Sequence, residues 1–322
     1  MTYLVTGGSG FIGAHVVRDL ALSGERVVCF DIAPNPEFLA DIIPPESLQG
    51  ITLVRGDVTD LPHLVRTLQE HGVEKIIHLA SQLMAGSDAN PPLALKVNCQ
   101  GTNNVFEAAV LLGLKKVVWA SSVALFGPRS AGLGGVILND APYDPQSFYG
   151  ACKLYNELMA LHYVRMYDLD VVGLRFTVAY GYGKGGQMGR GSGIPYLAEL
   201  IDKPALGQGP CLVPNGDQVT DWLYIEDAAR AVILAASAGK TRSKAFIVHG
   251  DLRPIRDLFD YVHSLFPEIE MKLEPGSSGP VRGFDGSVTE EEIGYSPRYK
   301  VEEGLKININ MLRRKAGLPP VG

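Results

Sequence analysis

The feature that most constrains this chain is a glycine-rich turn between a strand pattern that ends at Thr6 and a helix pattern that begins at Ile12. Gly7, Gly10 and Gly13 occupy every third position of this turn. Glycines at this spacing permit a tight turn, let backbone N–H groups approach a pyrophosphate, and let the helix pack closely on the strand. The helix N-terminus also favours an anion. The turn therefore predicts a dinucleotide site within a βαβ unit, and the alternative is a glycine-rich turn without a ligand.

An acidic residue follows at the distance that a dinucleotide site requires. Asp31 comes directly after the second strand pattern, Arg26–Phe30, about 20 residues beyond the glycine turn. Its carboxylate can accept hydrogen bonds from the adenosine ribose hydroxyls of NAD, but it would repel the 2′-phosphate of NADP. No arginine follows in residues 32–36. We therefore expect NAD as the cofactor, and the alternative for Asp31 is an aspartate that only ends a turn.

Strand and helix patterns alternate from Tyr3 to Phe176, which is the rhythm of parallel βαβ units. This alternation predicts an α/β fold with a Rossmann-type doubly wound parallel sheet and a smaller C-terminal substrate-binding domain. We expect an NAD-binding domain of residues 1–176 with returning segments at about 215–250, and a substrate-binding domain of residues 177–214 and 251–322. Residues 180–193 are rich in glycine and contain Lys184 and Arg190, so we expect a loop near the substrate there.

Composition and charge favour a small-molecule partner. The net charge is −6 and no basic run or basic amphipathic helix occurs, so the sequence offers no electrostatic basis for binding nucleic acid. No apolar stretch approaches the roughly 20 residues of a membrane span, and the first strand pattern begins too early for a targeting segment, so we expect a cytoplasmic protein. The four cysteines are widely spaced and follow no disulfide or zinc pattern, so we expect no metal.

Three polar residues indicate where chemistry could take place. Tyr149 and Lys153 are four positions apart in a predicted helix, Ser147–Tyr167, and so lie on one face. Such a pair is common on solvated helix faces and carries little weight alone. Ser122 follows the strand Lys116–Ala120 at the carboxyl edge of the sheet, where open α/β folds bind their ligands. The alternative for Ser122 is a strand-end hydroxyl that only satisfies a turn.

The ordered set of motifs resembles the extended short-chain dehydrogenase/reductase family, which includes NAD-dependent sugar epimerases and dehydratases. The similarity covers nearly the whole chain. Besides the glycine turn and the Tyr-x-x-x-Lys pair it comprises Gly56-Asp57-Val58, His78-Leu79-Ala80-Ser81, Val97-Asn98-Cys99-Gln100-Gly101-Thr102, Gly294-Tyr295-Ser296-Pro297 and Glu303-Gly304-Leu305. The resemblance implies catalytic roles for Ser122, Tyr149 and Lys153, and a homodimer formed through the helix Ser147–Tyr167 and its neighbour. It implies cofactor contacts at Gly7, Gly10, Phe11, Ile12, Gly13, Asp31, Asp57, Val58, Leu79, Ala80, Ser81, Asn98, Tyr149 and Lys153.

An acid–base mechanism follows from these residue types. In oxidation, Tyr149 would take the substrate hydroxyl proton as hydride leaves the same carbon for the nicotinamide, and both transfers would reverse in reduction. A free tyrosine has a pKa of about 10, so its ionisation needs nearby positive charge, which we expect from Lys153 and the oxidised nicotinamide. The resemblance further implies that Lys153 binds the nicotinamide ribose, that Ser122 hydrogen-bonds the reacting substrate oxygen, and that His78 is structural.

The chain departs from the family pattern where a nucleotide-sugar diphosphate is held. Family members that act on such sugars carry an asparagine and an arginine where this chain has Val178 and Thr220. Dehydratases carry an Asp-Glu pair directly after the catalytic serine, where this chain has Val123-Ala124. By the resemblance, Arg282 and Arg298 align with a substrate-binding region of the family. The predicted substrate contacts are Ser122, Val178, Arg282 and Arg298.

Three functions remain open at this point. The first is an NAD-dependent dehydrogenase or reductase that interconverts a secondary alcohol and a ketone, on a substrate that is not an ordinary nucleotide sugar. The second is a nucleotide-sugar 4-epimerase, similar to UDP-glucose 4-epimerase, which retains NAD and re-reduces a keto intermediate. The third is an NAD-binding regulatory protein without turnover. Val178 and Thr220 weigh against the second, and the intact catalytic residues weigh against the third.

Overall fold

A computed structural model describes residues 1–114, 116–132, 135–184, 196–277, 279 and 283–322. The strands, in chain order, are β1 Thr2–Thr6, β2 Arg26–Asp31, β3 Ile51–Arg55, β4 Lys75–His78, β5 Lys116–Ser122, β6 Val136–Ile137, β7 Asp170–Phe176, β8 Val178–Tyr180, β9 Cys211–Val213, β10 Val219–Tyr224, β11 Ala245–Val248, β12 Asp251–Pro254, β13 Met271–Leu273 and β14 Gly283–Phe284. The α-helices are α1 Phe11–Leu22, α2 Pro36–Ile42, α3 Pro45–Leu48, α4 Leu61–Glu70, α5 Met84–Ala89, α6 Pro91–Ala94, α7 Thr102–Leu111, α8 Phe148–Tyr167, α9 Lys203–Ala205, α10 Ile225–Ser237, α11 Ile255–Leu265, α12 Ser287–Ile293 and α13 Val301–Lys315. The segments Leu95–Gly101 and Ala198–Asp202 are π-helical.

The centre of the fold is a seven-stranded sheet in the order β11-β7-β5-β4-β1-β2-β3, with every neighbouring pair parallel. From β1 the strand order runs outward through β2 and β3 on one side, and through β4, β5 and β7 on the other. The order therefore reverses beside β1, and such a switch point opens a crevice outside the carboxyl ends of the strands. The predicted Rossmann-type doubly wound sheet is confirmed.

Alternating apolar residues of the strands pack against two separate helix layers. Leu4 faces the layer that contains α4, α7 and α8, whereas the adjacent Val5 faces the layer that contains α1 and α10. Val117 and Val118 divide between the same two layers. Because consecutive strand residues point to opposite faces, a run of apolar residues is needed when both faces are covered. This double burial explains why the strand patterns are continuous rather than alternating.

The glycine turn brings β1, α1 and the end of β4 closer than side chains would allow. Gly7 has a φ of +65°, and a Cβ atom there would lie 2.8 Å from the backbone nitrogen of Ala80. A Cβ at Gly13 would lie 2.0 Å from the carbonyl oxygen of Gly7. Gly10 precedes α1 without a side chain that could cap the helix. The turn thus keeps the first backbone N–H groups of α1 open at the carboxyl edge of the sheet.

The C-terminal part of the chain adds small sheets to this core. Strand β8 pairs with β10, which pairs with β12, while β9 pairs with β13 and β6 with β14. Strand β11 joins the central sheet, and β10, from the same predicted returning segment, belongs to the small sheet with β8. The proposed division into two domains remains a prediction. Among the described residues, no helix is long and apolar enough to span a membrane.

The prediction of a polar loop over residues 180–193 needs correction at its beginning. Tyr180 ends β8 and is 1% exposed, and Tyr182 is 5% exposed within the main apolar cluster. The Tyr180 hydroxyl donates to the carbonyl oxygen of Val301 at the start of α13, which satisfies its polar end. These tyrosines therefore belong to the core that joins β8 to the C-terminal helix. Arg190, with the rest of residues 185–195, lies outside the described residues.

We expect Gly13→Ala to weaken NAD binding and to destabilise the protein by about 1–3 kcal/mol, because its methyl group overlaps the carbonyl oxygen of Gly7. Gly239→Ala is the matched control, since no atom lies within 4 Å of a Cβ at that position. Denaturant unfolding and NAD titration of both variants measure the difference. Equal behaviour of the two variants would contradict the close approach at Gly13.

Candidate active site

The three predicted catalytic residues lie at the carboxyl edge of the central sheet. Ser122 is the last residue of β5, and Tyr149 and Lys153 lie in the first two turns of α8. The side chain of Ser147 begins this helix by accepting a hydrogen bond from the Gly150 nitrogen, 3.1 Å away. A Cβ at Gly150 would lie 2.2 Å from the carbonyl oxygen of Ala124. The small residue therefore lets α8 press against the turn that follows Ser122.

Tyr149 lies between two serine hydroxyls. It is 9% exposed, and the Ser122 and Ser81 hydroxyls are the neighbouring groups that lower the pKa of its own hydroxyl. Burial raises the pKa of Tyr149 to about 12, and the two serine hydrogen bonds lower it only in part. The structure thus brings together Ser122 and Tyr149 as expected, and it adds Ser81 to the predicted acid–base group.

Lys153 is buried directly behind the tyrosine. Its Nζ atom donates to the Ala120 carbonyl oxygen at 2.7 Å and lies 5.3 Å from the centre of the Tyr149 ring and 5.8 Å from that of Trp119. Burial lowers the pKa of Lys153 to about 8. Burial is the largest effect on the pKa of Tyr149 and raises it, so the expectation that Lys153 lowers this pKa stays a prediction. One N–H of Lys153 is bonded to a described residue, which leaves the other two for ribose hydroxyls.

Asn98 organises the segment that follows β4. Its side-chain oxygen accepts from the Ser81 hydroxyl at 3.0 Å and from the Gln82 nitrogen at 2.7 Å. It lies in the π-helical segment Leu95–Gly101, and π-helical turns often mark functional sites. Its backbone oxygen accepts from Asn156 of α8 at 2.8 Å. Asn98 therefore links the Ser81 side of the site to the catalytic helix.

A buried ion pair fixes the catalytic helix to the sheet, and the sequence analysis missed it. Glu157 of α8 accepts two hydrogen bonds from Arg175 of β7, at 2.8 and 2.7 Å. Glu157 also accepts from the Ser121 hydroxyl at 2.7 Å and from the Tyr143 hydroxyl at 2.9 Å. A usable signal was present, because Glu157 follows Lys153 by four residues and so lies on the same helix face.

The cofactor residues form a cradle that fits a dinucleotide. Asp31 is buried at the end of β2, where one oxygen accepts from the Ser9 nitrogen and hydroxyl and the other from the Ala33 nitrogen. The carboxylate thus ties the glycine turn to β2 while retaining lone pairs for ribose hydroxyls. Gly7, Gly10 and the first turn of α1 leave backbone N–H groups open to a pyrophosphate. This arrangement fits NAD.

The remaining predicted cofactor residues lie along the same edge. Asp57 follows β3, where its side chain accepts from the Thr59 nitrogen at 2.8 Å, and Val58 is buried beside it. Leu79 and Ala80 follow β4 and bond through their nitrogens to Thr6. His78 bonds through its two ring nitrogens to the Thr6 and Thr102 hydroxyls, at 2.7 and 3.0 Å. Burial lowers the pKa of His78 to about 3, and these contacts are those of a structural histidine.

The predicted substrate residues are less closely grouped. Val178 begins β8 and packs partly against the main apolar cluster, and Thr220 lies in β10, half-buried. Arg298 has an exposed side chain, and its backbone nitrogen donates to Asp227 at 2.8 Å. Within the described part of the chain, no contact joins Arg298 to the catalytic residues. Arg282 lies outside the described residues.

Comparison with known proteins identifies the family. Residues 3–249 match the model of the NAD dependent epimerase/dehydratase family. UDP-glucose 4-epimerase from Mycolicibacterium smegmatis is 27% identical over 98% of this chain and 100% of its own length. The chain belongs to this NAD-dependent epimerase/dehydratase family, which confirms the resemblance noted from the sequence and NAD as the cofactor.

Solved structures agree with this assignment. The chain is similar to UDP-glucose 4-epimerase from Thermotoga maritima with UDP-glucose, with a TM-score of 0.82, 25% identity and coverage of 98% of this chain and 100% of that one. It is similar to UDP-glucose 4-epimerase from Thermus thermophilus in complex with NAD, with a TM-score of 0.78, 26% identity and coverage of 97% and 99%. The similarity extends through the C-terminal part, beyond the residues that the family model matches.

We expect Asp31→Ala to weaken NAD binding and to narrow the preference for NAD over NADP, because it removes a hydrogen-bond acceptor and the charge that repels a 2′-phosphate. Ser9→Ala is the matched control: it removes the hydroxyl that bonds to Asp31 at 2.8 Å but keeps the carboxylate. Titration of both variants with NAD and NADP distinguishes a ribose contact from a loosened turn. An identical effect of the two substitutions would leave Asp31 as a turn residue only.

Proposed function

We propose that this protein is a nucleotide-sugar 4-epimerase that retains NAD. The proposal is carried by one observation: the Ser122, Tyr149 and Lys153 group lies beside the NAD cradle in a chain that resembles UDP-glucose 4-epimerases along nearly its whole length. This is the second of the three hypotheses from the sequence. It has more support than the first, because the two relatives cited above are UDP-glucose 4-epimerases.

Tyr149 would serve as the acid–base group. It would take the proton from the sugar hydroxyl during oxidation and return a proton to the carbonyl oxygen during reduction. Its neutral form predominates because burial raises its pKa to about 12, so proton removal from the phenol has to be coupled to a gain of positive charge nearby. NAD supplies the hydride acceptor and donor together with that charge. Ser122 would hold the reacting oxygen through a hydrogen bond.

Lys153 would hold the cofactor rather than the substrate. Its bond to Ala120 fixes the ammonium at the end of β5, and its remaining N–H groups suit two ribose hydroxyls. Rigid placement of this kind matters because hydride transfer needs the reacting atoms within about 3–3.5 Å. The burial of Lys153 also excludes water from the side of Tyr149 that faces the sheet.

The residues after Ser122 favour epimerisation over dehydration. Val123 and Ala124 form a single 3-10 turn with Leu125, and neither provides a carboxyl group next to Ser122. Elimination of water from a sugar needs a general acid for the departing hydroxyl. Epimerisation needs only the hydride, the acid–base tyrosine and space for the keto intermediate to turn. The residues around Ser122 are therefore sufficient for epimerisation but not for dehydration.

A second candidate is a dehydrogenase that acts on a secondary alcohol without a nucleotide. It is favoured by Val178 and Thr220, which offer a diphosphate no amide and no guanidinium. If this candidate is right, UDP should bind NAD-loaded protein only in roughly the millimolar range, or about 4 kcal/mol of binding free energy. Low micromolar binding would favour the epimerase.

Product analysis separates the candidates. Purified protein is first denatured to measure how much NAD it retains, and the native protein is then incubated with UDP-galactose while UDP-glucose and NADH are measured. We expect bound NAD and formation of UDP-glucose without net NADH. NADH accumulation with a free alcohol, and no interconversion of UDP-sugars, would favour the dehydrogenase. Retained NAD with neither product would point to the regulatory protein.

We expect Tyr149→Phe to leave NAD binding nearly unchanged and to lower turnover at least about a hundredfold, since general acid–base catalysis contributes on that scale. Tyr163→Phe is the matched control, because this tyrosine lies on the same helix and its hydroxyl bonds to Asn103 and Glu107. Steady-state rates and NAD titration of the two variants are the measurement. Similar turnover of Tyr149→Phe and wild type would exclude Tyr149 as the acid–base group.

We also propose that the protein is a homodimer. Helix α8 exposes large apolar side chains on the face turned away from the sheet, and the neighbouring residues Leu93 and Leu95 do so as well. The exposed residues of α8 are Phe148, Tyr155, Leu158, Leu161, Met166 and Tyr167. An apolar helix surface of this kind is typical of an interface. A second copy would cover it by packing the same face against itself.

Leu158→Glu should convert a dimer into a monomer, because it buries a charge in the centre of the proposed interface. Leu212→Glu is the control, since Leu212 is similarly exposed, at 47% against 53%, in the distant strand β9. Light scattering at micromolar concentration reports the mass of each variant. A monomeric wild type under these conditions would contradict the proposal.

A further inference from the structure

The first turn of α1 is a positive site without a counter-charge. Gly10 provides no side-chain cap, and the first turn contains no acidic residue. The backbone N–H groups of Phe11 and Ile12 have no acceptor among the residues that the structure describes. A helix N-terminus carries a partial positive charge, and its open N–H groups are donors for an anion.

A lysine from the segment that follows β8 approaches the first turn of α1. Lys184 follows β8, and its Nζ atom lies 4.9 Å from the centre of the Phe11 ring. The preceding segment is fixed, because the Tyr182 carbonyl oxygen bonds to the buried His15 ring of α1 at 3.1 Å. Lys184 makes no ion pair with any described residue, and its backbone nitrogen donates to Gly181 at 3.2 Å.

The surroundings of Lys184 do not compensate its charge. Burial lowers the pKa of Lys184 to about 8. Asp31, at the end of β2, hydrogen-bonds to Ser9 and Ala33 and forms no ion pair with Lys184. His15 is neutral, because burial lowers its pKa to about 4. Within the described part of the chain, a lysine without an ion pair therefore lies against the side chain of Phe11, the residue that begins α1.

We propose that Lys184 binds the diphosphate of NAD together with the first turn of α1, so that the anion lies between the glycine turn and the segment after β8. This contact ties the cofactor to the C-terminal part of the chain as well as to the Rossmann sheet. The proposal rests on NAD as the cofactor and does not depend on the nucleotide-sugar 4-epimerase assignment. A diphosphate of the substrate is the competing ligand, and the experiment includes both.

Calorimetry on protein freed of NAD tests this contact with NAD, ADP-ribose and adenosine. We expect Lys184→Met to weaken NAD and ADP-ribose about tenfold or more, since a hydrogen bond to a charged group is lost, and to leave adenosine unchanged. Lys184→Arg should retain most of the affinity, and Lys203→Met is the control because Lys203 is paired with Glu199. Faster release of NAD from loaded Lys184→Met protein, measured by dilution, is the expected second result.

Three outcomes would overturn the proposal. Unchanged NAD and ADP-ribose affinity in Lys184→Met would remove the contact. An equal loss of adenosine affinity in Lys184→Met would show that the substitution disturbs the whole site. Comparing the thermal unfolding of Lys184→Met and Lys184→Arg would identify such a disturbance. Weaker binding of UDP-glucose to NAD-loaded Lys184→Met protein, with NAD affinity intact, would assign the lysine to the substrate. Because these measurements follow NAD binding and not turnover, they test Lys184 even if the protein has no epimerase activity.

Discussion

The ion pair between Glu157 and Arg175 is the interaction on which the geometry of the active site depends. It joins α8 to β7 through two hydrogen bonds, and Glu157 also holds Ser121, the neighbour of Ser122. Both charged side chains are about 95% buried, so removal of one partner would leave an uncompensated charge at a cost of about 3–5 kcal/mol. The exposed Arg242 and Glu291 pair, by contrast, contributes about 1 kcal/mol or less. The helix that carries Tyr149 therefore cannot move independently of the strand that carries Ser122.

Burial then determines the protonation of the two residues held by this frame. It raises the pKa of Tyr149 to about 12 and lowers that of Lys153 to about 8, so both shifts favour the neutral side chain. A site of this kind has little stabilisation for a phenolate of its own. Charge that arrives with the ligands is correspondingly effective, because a buried site screens it less than water does. In the proposed mechanism, Tyr149 is therefore coupled to cofactor binding through electrostatics as well as through position.

The sequence predicted the parts of the structure that depend on short-range pattern. The glycine turn, the alternating strands and helices and the Tyr149 and Lys153 face follow from spacing alone, and helix α8 ends at the predicted Tyr167. Contacts between distant residues could not be read in this way. Arg175 occurs within an apolar strand pattern, and only its meeting with Glu157 explains a charge there. Tyr180 was assigned to a polar loop because its partner, Val301, lies far along the chain.

The cofactor and substrate halves of the site differ in how they recognise their ligands. The cradle for NAD depends mainly on backbone N–H groups, so glycines and one helix N-terminus suffice to build it. A substrate pocket at β8 and β10 depends on the side chains that these strands present. The Thr177 hydroxyl donates to Asp221 at 2.7 Å, and these residues precede Val178 and follow Thr220 in the chain. This bond joins the start of β8 to β10 without using the side chains of Val178 and Thr220. If the proposed function is right, Val178 and Thr220 would alter substrate binding and leave the hydride transfer unchanged.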